Sequence, residues 1–324
     1  MIISRTPFRI TLAGGGTDLP SFYSKHGSRF LSCAIDKYIY VGFKKRLFDQ
    51  EVRVQYLDTE VANHTSEIKH NRARACLEKY GFTTGIEVTS VADLSAKSGM
   101  GSSGSYIVGL LACLRSHLGL KMDPDDIAEE ACDIEMNMLG EPVGKQDQYI
   151  ASHGSITEFS IDTSGKVTAE KLQLPVETIE TIEKNCLVFY TGVLRSASDI
   201  LRHQQDSISQ DDSLMIEIQK IGIESIEEIK KGNLDKFGKL MHLHWLQKRK
   251  FSKNMSLGTF DSLYESFISK GDALGGKIIG AGGGGFMMLY VPKDHDKVEK
   301  EMKSLGFPRM TWKTSQAGVS LSKW

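Results

Sequence analysis

Six small residues, Gly99-Met100-Gly101-Ser102-Ser103-Gly104, form a stretch of this chain that is well suited to hold an anion. They lie between a strand-like run at residues 86–91 and a helix-like run that opens near Ser103. A loop with little side-chain bulk lets backbone N–H groups approach an anion, and the next helix N-terminus adds partial positive charge. The stretch therefore indicates a phosphate-binding loop, although its G-x-G-x-x-G pattern alone is weak evidence.

Two acidic residues downstream of this loop could act on a bound phosphate. Glu135 falls on the apolar stripe of a predicted helix, and a buried carboxylate needs a salt bridge, a hydrogen bond or a magnesium ion. Asp147 follows Gly144 at a predicted helix start, where an aspartate can cap the helix or take a proton from a substrate hydroxyl. The residue types alone do not decide between a structural and a functional role for Glu135 or for Asp147.

A second glycine cluster, Gly14-Gly15-Gly16, follows a strand-like run at residues 7–13 and precedes Thr17 and Asp18. The cluster can be a simple turn after the strand. It can also form a backbone surface with two side chains that bind hydroxyls such as those of a sugar. A third cluster, at residues 280–285, precedes another strand-like run.

Composition gives no support for several classes of function, although a local charged patch is not excluded. The 324 residues suffice for two domains, and 40 basic against 41 acidic residues give no support for nucleic acid or anionic membranes as partners. No apolar run approaches the roughly 18 residues of a membrane span, and the first residues lack the pattern of a signal peptide. Five cysteines without a C-x-x-C pair predict reduced thiols in a cytoplasmic protein.

Hydrophobic periodicity predicts two mixed parts of strands and helices. In the first part, strands are expected at 7–13, 29–47, 51–57 and 85–92, and helices at about 66–80, 103–118 and 124–139. The second part begins with a strand at 185–190 and is mainly helical from about 196 to 270. It ends with strand 276–291, helix 294–305 and strand 309–322. We therefore predict an α+β protein with domains at 1–184 and 185–324.

Two common nucleotide-binding patterns do not fit. A Rossmann loop at 99–104 would follow its strand directly, but the polar segment 93–98 intervenes, which argues against a dinucleotide-dependent oxidoreductase. Residues 271–278 have the spacing of a Walker A loop, but Ile278 stands where Ser or Thr must bind magnesium.

Taken together, the three glycine motifs resemble those of the superfamily of galactokinase, homoserine kinase, mevalonate kinase and phosphomevalonate kinase, the GHMP kinases. The motifs occupy residues 5–18, 94–103 and 277–286, with Glu135 and Asp147 between the second and the third. In the second motif, Ser95, Lys97 and Met100 replace the usual Pro, Gly and Leu. The first motif, Gly14-Gly15-Gly16-Thr17-Asp18-Leu19-Pro20, is similar to that of D-glycero-D-manno-heptose 7-phosphate kinases.

This resemblance implies a two-domain fold and an activity. The N-terminal α/β domain would carry a left-handed βαβ crossover, against the usual rule, and the C-terminal domain would be ferredoxin-like. The activity would be ATP- and magnesium-dependent phosphorylation of an anomeric sugar hydroxyl, with heptose 7-phosphate as the acceptor. Kinases for fucose or galactose, and a catalytically silent sensor of sugar and nucleotide, are the alternatives.

The resemblance also assigns roles to residues. The ATP phosphates would be wrapped by Lys97, Ser98, Gly99, Met100, Gly101, Ser102 and Ser103, with Gly283 on the other wall. Magnesium would be held by Ser103 and Glu135.

The remaining roles concern the transfer step and the acceptor. Asp147 would take or orient the hydroxyl proton, and Arg9 would offset charge near the transferring phosphoryl group. The sugar would be bound by Gly16, Thr17, Asp18 and Gly144. Candidates for holding the sugar's own phosphate are Lys25, Arg29, Arg195 and Arg202. The sequence gives no oligomeric state.

Overall fold

The computed structural model describes residues 1–193, 211–251, 258–280 and 285–324. Gly283, Arg195 and Arg202, for which the sequence predicts roles, lie outside this part of the chain.

The larger sheet contains the first strand of the chain and its last one. Its members are β1 (Ile2–Ala13), β2 (Ser28–Lys45), β3 (Val52–Gln55), β4 (Thr59–Ala62), β5 (Ile86–Ala92), β6 (Ile156–Ile161), β7 (Val167–Lys171) and β12 (Ser320–Lys323). The order is β12-β1-β2-β5-β3-β4, and β6 pairs with both β2 and β7. Strands β3 and β5 pair in parallel, so a crossover connects them. The left hand of that crossover stays a prediction.

Helices cover this sheet, and the glycine-rich loop at 97–101 leads into one of them. They are α1 (Pro20–His26), α2 (Asn71–Lys79), α3 (Ser102–His117), α4 (Pro124–Asp133), α5 (Gln146–His153) and α6 (Val176–Asn185), with a π-helical turn at Ile134–Met138. Helix α3 is buried along most of its length. A Cβ on Gly109 would lie 2.7 Å from Thr6 Oγ1, so this glycine allows α3 to pack closely on β1.

The smaller sheet has β8 (Cys186–Tyr190), β9 (Gly275–Ile278), β10 (Phe286–Tyr290) and β11 (Arg309–Met310). Its order, β11-β8-β10-β9, is antiparallel throughout and is the strand order of a ferredoxin-like domain. Its helices are α7 (Ser213–Lys230), α8 (Leu234–Lys248), α9 (Gly258–Ser269) and α10 (His295–Ser304). The expectation of a ferredoxin-like C-terminal domain is confirmed.

Several predicted boundaries were wrong. The strand expected at 276–291 is two antiparallel strands, β9 and β10, separated by the third glycine motif. The strand expected at 309–322 is β11 and β12, which lie in different sheets. The helix expected at 124–139 leaves α-helical geometry after Asp133. The predicted division at 184/185 stays a prediction, and β12 pairs with β1.

All five cysteines are buried and unpaired, and the burial raises the pKa of Cys33 and Cys186 to about 12. In the described ranges, no helix has both the length and the apolar character needed to cross a membrane.

Candidate active site

The loop before α3 has a backbone shape that suits an anion. Lys97, Gly99 and Gly101 have φ angles of +62°, +80° and +80°, and they alternate with residues of negative φ. Successive backbone N–H groups in such alternating conformations form concave anion sites. No described side chain caps α3, so the first N–H groups of this helix remain available beside the loop. Lys97 adopts the conformation of the glycine that it replaces in the motif.

The third glycine motif contacts this loop backbone to backbone. A Cβ on Gly99 would lie 2.7 Å from Ile279 O, and one on Gly280 would lie 2.6 Å from Gly99 O. A Cβ on Gly285 would lie 2.0 Å from Ser98 O. Side chains at these glycines would push the two loops apart, because both sides of the contact are main chain. The glycines at these positions therefore join the two sheets around one cavity.

Asp147 and Arg9 lie against the same loop. Arg9 on β1 donates from Nε to Asp147 Oδ1 at 2.7 Å, and its Nη1 donates to Gly99 O. Asp147 is in the first turn of α5, but the N-cap is Lys145 and no side-chain cap bond forms among the described residues. The capping alternative is therefore not seen. The Asp147 side chain is 27% exposed and borders the cavity.

Two further glycines place α3 against Asp147. A Cβ on Gly101 would lie 3.2 Å from Asp147 Cγ, and one on Gly104 would lie 2.9 Å from Asp147 Cβ. The Asp147 carboxylate thus lies directly beside the N-terminus of α3.

Glu135 is fully buried in the π-helical turn that follows α4. Its Oε1 accepts from Arg72 Nε at 3.2 Å and its Oε2 accepts from Gln148 Nε2 at 2.6 Å. Burial raises the pKa of Glu135, while the charge of Arg72 and hydrogen bonds from Ser103 and Gln148 oppose that rise. The structure therefore gives Glu135 protein partners and also places it beside Ser103 on the cavity wall.

The oxygen atoms near Glu135 form a donor set that fits magnesium. Gln148 Oε1 is buried and makes no hydrogen bond within the described part of the chain. It lines the cavity together with Ser103 and Glu135. Magnesium prefers oxygen ligands and keeps several from waters and substrate phosphates, so a small protein donor set is enough.

The first glycine motif forms the other side of the cavity. Asp18 Oδ2 accepts from the Gln146 backbone N–H at 3.1 Å, and burial raises the pKa of Asp18, with the nearby charge of Asp147 adding to the rise. A Cβ on Gly144 would lie 2.0 Å from Asp18 Oδ2. A side chain at position 144 would therefore displace the Asp18 carboxylate, so a glycine is needed there.

Most of the predicted residues meet at this one cavity of about 880 Å³. Those that line it are Arg9, Gly16, Asp18, Lys97, Gly99, Gly101, Ser102, Ser103, Glu135, Gly144 and Asp147. Three others are buried away from it: Ser98, Met100 and Thr17. The Thr17 hydroxyl donates to Gly14 O at 2.8 Å and bonds to the Ser28 hydroxyl, so it holds the turn.

Two of the residues predicted to hold the sugar's own phosphate, Lys25 and Arg29, lie away from this cavity. Lys25 is half exposed beside Asp212, and Arg29 is paired with Glu158 and Glu227. Neither side chain lines the cavity.

Sequence reasoning missed several residues that line the cavity. From the smaller domain come His244, Lys248 and Lys277, and from the larger one come Tyr56, His70, Arg72, Tyr106 and Gln148. Lys277 belongs to the third motif, so its polar side chain among apolar neighbours was an available signal. The others come from elements whose packing the sequence does not reveal.

Comparisons with known proteins point to one family. A family model of the GHMP kinase N-terminal domain matches residues 68–155, and a model of the C-terminal domain matches residues 225–306. The chain is 26% identical to the D-glycero-alpha-D-manno-heptose 7-phosphate kinase of Campylobacter jejuni, over 94% of each sequence. It is 27% identical to the L-fucokinase/L-fucose-1-P guanylyltransferase of Bacteroides fragilis, over 91% of this chain and 35% of that protein.

Solved structures share the fold. A D-glycero-D-manno-heptose 1-phosphate kinase from Bacteroides thetaiotaomicron superposes with a TM-score of 0.81 at 20% identity, over 100% of this chain and 99% of the other. The phosphomevalonate kinase of Streptococcus pneumoniae superposes with a TM-score of 0.79 at 13% identity, over 97% of this chain and 100% of the other. The two family models match in chain order and together cover more than half of the sequence. The chain belongs to the GHMP kinase family.

Proposed function

We propose that this kinase transfers the γ-phosphoryl group of ATP to the anomeric hydroxyl of D-glycero-D-manno-heptose 7-phosphate. The observation that carries the proposal is the position of the Asp147 carboxylate. It borders Gly101 of the loop at 97–103, and its charge acts on Asp18 of the first glycine motif. The similarity to the heptose 7-phosphate kinase of Campylobacter jejuni over nearly the whole chain supports this acceptor.

The nucleotide phosphates would bind at the loop and at the N-terminus of α3. Lys97, Ser102 and Ser103 line the cavity, while the buried Ser98 and Met100 would contribute backbone groups only. The helix N-terminus and the alternating backbone favour negative charge there. Gly283 stays a predicted part of the opposite wall.

The transfer forms one bond and breaks another. The acceptor oxygen would attack the γ-phosphorus, and the bond between that phosphorus and the β,γ-bridging oxygen would break, which releases ADP. Asp147 would take the hydroxyl proton or orient it, and Arg9 would hold Asp147 in place and offset charge on the phosphoryl group. Such a reaction depends on alignment and charge stabilisation more than on covalent chemistry.

Ser103 and Glu135 would hold magnesium, with Gln148 Oε1 as a further oxygen donor beside them. The ion would offset the negative charge of the ATP phosphates. The protein's own contribution is to fix these oxygens: Arg72 and Gln148 hydrogen-bond the Glu135 carboxylate and set its orientation.

The sugar hydroxyls would bind to Asp18 and to the backbone at Gly16 and Gly144. Thr17 would act by holding the turn that presents Asp18, because its hydroxyl is hydrogen-bonded within that turn. A kinase for an unphosphorylated sugar is the second candidate, and the similarity to a fucokinase-containing protein favours it. The presence of both Asp147 and Glu135 at the cavity argues against a catalytically silent sensor.

A coupled assay of ADP release separates these candidates. The panel would contain D-glycero-D-manno-heptose 7-phosphate, the unphosphorylated heptose, fucose, galactose and mevalonate. We expect the highest kcat/KM with heptose 7-phosphate. A higher kcat/KM with an unphosphorylated sugar would overturn the proposed acceptor.

A further inference from the structure

Two lysines are buried at the side of the cavity that is formed with the first glycine motif. Lys248 at the end of α8 is 6% exposed and Lys277 on β9 is 5% exposed. Lys248 Nζ donates to Gly280 O at 2.8 Å, and Lys277 Nζ donates to Leu12 O at 3.1 Å. Within the described residues, neither ammonium group has a carboxylate oxygen in ion-pair contact. Burying a charge without a charged partner is costly, so this arrangement needs a reason.

His244, one turn before Lys248 on α8, adds a third nitrogen-bearing group. It is buried and lines the same cavity. The Gly15 backbone lies near its ring, but neither ring nitrogen makes a hydrogen bond of normal geometry to the part of the chain that is described. A buried imidazole without a partner is rare in folded proteins, and a ligand atom would satisfy it.

These groups face the acceptor motif. Lys277 contacts Leu12, His244 lies near Gly15, and Lys248 is attracted by the negative charge of Asp18. Arg9 is the cation that acts on both lysines from the catalytic side. The three side chains therefore lie where the smaller domain meets the segment predicted to bind the sugar.

We propose that Lys248, Lys277 and His244 bind the phosphate that the acceptor already carries, an inference that rests on the function proposed above. A phosphate dianion would supply the negative charge that the two lysines lack and an oxygen acceptor for His244. Lys277 contacts Leu12 and His244 lies near Gly15, both in the first glycine motif. The resident phosphate would therefore bind beside that motif, and the transferred phosphate would bind beside the loop at 97–103. This cluster, and not Lys25 or Arg29, would select a phosphorylated acceptor.

Electrostatic repulsion among Lys248, Lys277 and His244 is consistent with a negatively charged ligand. Burial lowers the pKa of Lys277 to about 7 and that of Lys248 to about 8, and each lysine also repels the other or Arg9. The pKa of His244 is lowered by burial and by both lysines. The negative charge of a bound dianion would oppose these pKa shifts and draw protons onto the lysines.

The test is calorimetric titration without ATP, so that binding is read without turnover. Heptose 7-phosphate and unphosphorylated heptose are each titrated into the wild type and into Lys248→Met, Lys277→Met and Lys277→Gln. The matched control is Lys239→Met, the same change at an exposed position on the same helix. Melting curves verify that each variant is folded, and Lys248→Arg tests whether a retained charge preserves binding.

We expect each lysine variant to weaken heptose 7-phosphate binding by about 10- to 100-fold, the range of a lost hydrogen bond to a charged group. Heptose affinity and the KM for ATP should change by less than about threefold, and Lys248→Arg should retain most of the affinity. Equal losses for both sugars, or a fall in kcat with unchanged sugar binding, would overturn the inference. The wild-type preference for heptose 7-phosphate tests the proposed function separately, because it does not involve the variants.

Discussion

Arg9 Nε lies 2.7 Å from Asp147 Oδ1, which joins the centre of β1 to the first turn of α5 across 138 positions of sequence. The same guanidinium donates to Gly99 O, so one side chain links the carboxylate to the phosphate-binding loop. This link fixes the direction in which Asp147 faces. The position of the Asp147 carboxylate therefore depends on the strand, the loop and the helix together.

Asp147→Asn should fold and lose most of its turnover. Asn keeps the shape but cannot take a proton, so kcat should fall by about 10²- to 10⁴-fold. Asp125→Asn is the control, because Asp125 is an exposed aspartate in the first turn of α4. Steady-state assays on both purified variants test this. A rate near that of the wild type for Asp147→Asn would remove the catalytic assignment.

Glu135→Gln should raise the magnesium concentration that gives half-maximal activity. Gln retains the shape of Glu but loses the charge that a hard cation prefers. Activity would be titrated against magnesium at fixed ATP, with nucleotide binding measured separately. If the magnesium dependence is unchanged while stability falls, Glu135 serves only to pair with Arg72 and Gln148.

Gly285→Ala should separate the two glycine loops. Its Cβ would lie 2.0 Å from Ser98 O, and its φ of +81° adds strain for any residue with a side chain. Gly306→Ala is the control, since Gly306 has a φ of +85° but open space around it. We expect the KM for ATP to rise far more for Gly285→Ala. If both variants have similar kinetics, the backbone strain causes the change in KM and the contact with Ser98 does not.

Stability should rise with pH above neutrality because of Lys277. Its pKa is about 7 in the folded protein against 10.5 ordinarily, so between these values the unfolded chain binds more protons. Unfolding then becomes less favourable as pH increases. From pH 7 to 9 the gain is about 2 kcal/mol at most. Denaturant unfolding of the wild type and Lys277→Met measures it. A difference between them that stays constant with pH would contradict the lowered pKa.

The sequence was most informative where function constrains local backbone. The loop before α3 and the start of α3 were both predicted, because small residues shape the backbone over a few positions. Lys97 is a case in which the loop keeps its left-handed conformation despite the loss of the usual glycine.

Long-range relations were not readable in the same way. Residues 276–291 form one apolar, glycine-rich run, so periodicity could not show that the chain reverses between β9 and β10. The pairing of β12 with β1 joins the two ends of the chain. Lys248 and Lys277 meet the first motif only through the packing of α8 and β9. No local sequence pattern predicts such long-range contacts.

The most direct test of the central claim is phosphorus NMR of the reaction of the wild-type protein with ATP and D-glycero-D-manno-heptose 7-phosphate. We expect a new resonance coupled to the anomeric proton, which identifies the 1,7-bisphosphate. Asp18→Ala should slow its appearance through a higher KM for the sugar, because unpaired polar groups cost about 1–3 kcal/mol each. A product phosphorylated at another carbon, or no bisphosphate under conditions in which fucose or galactose is phosphorylated, would contradict the account.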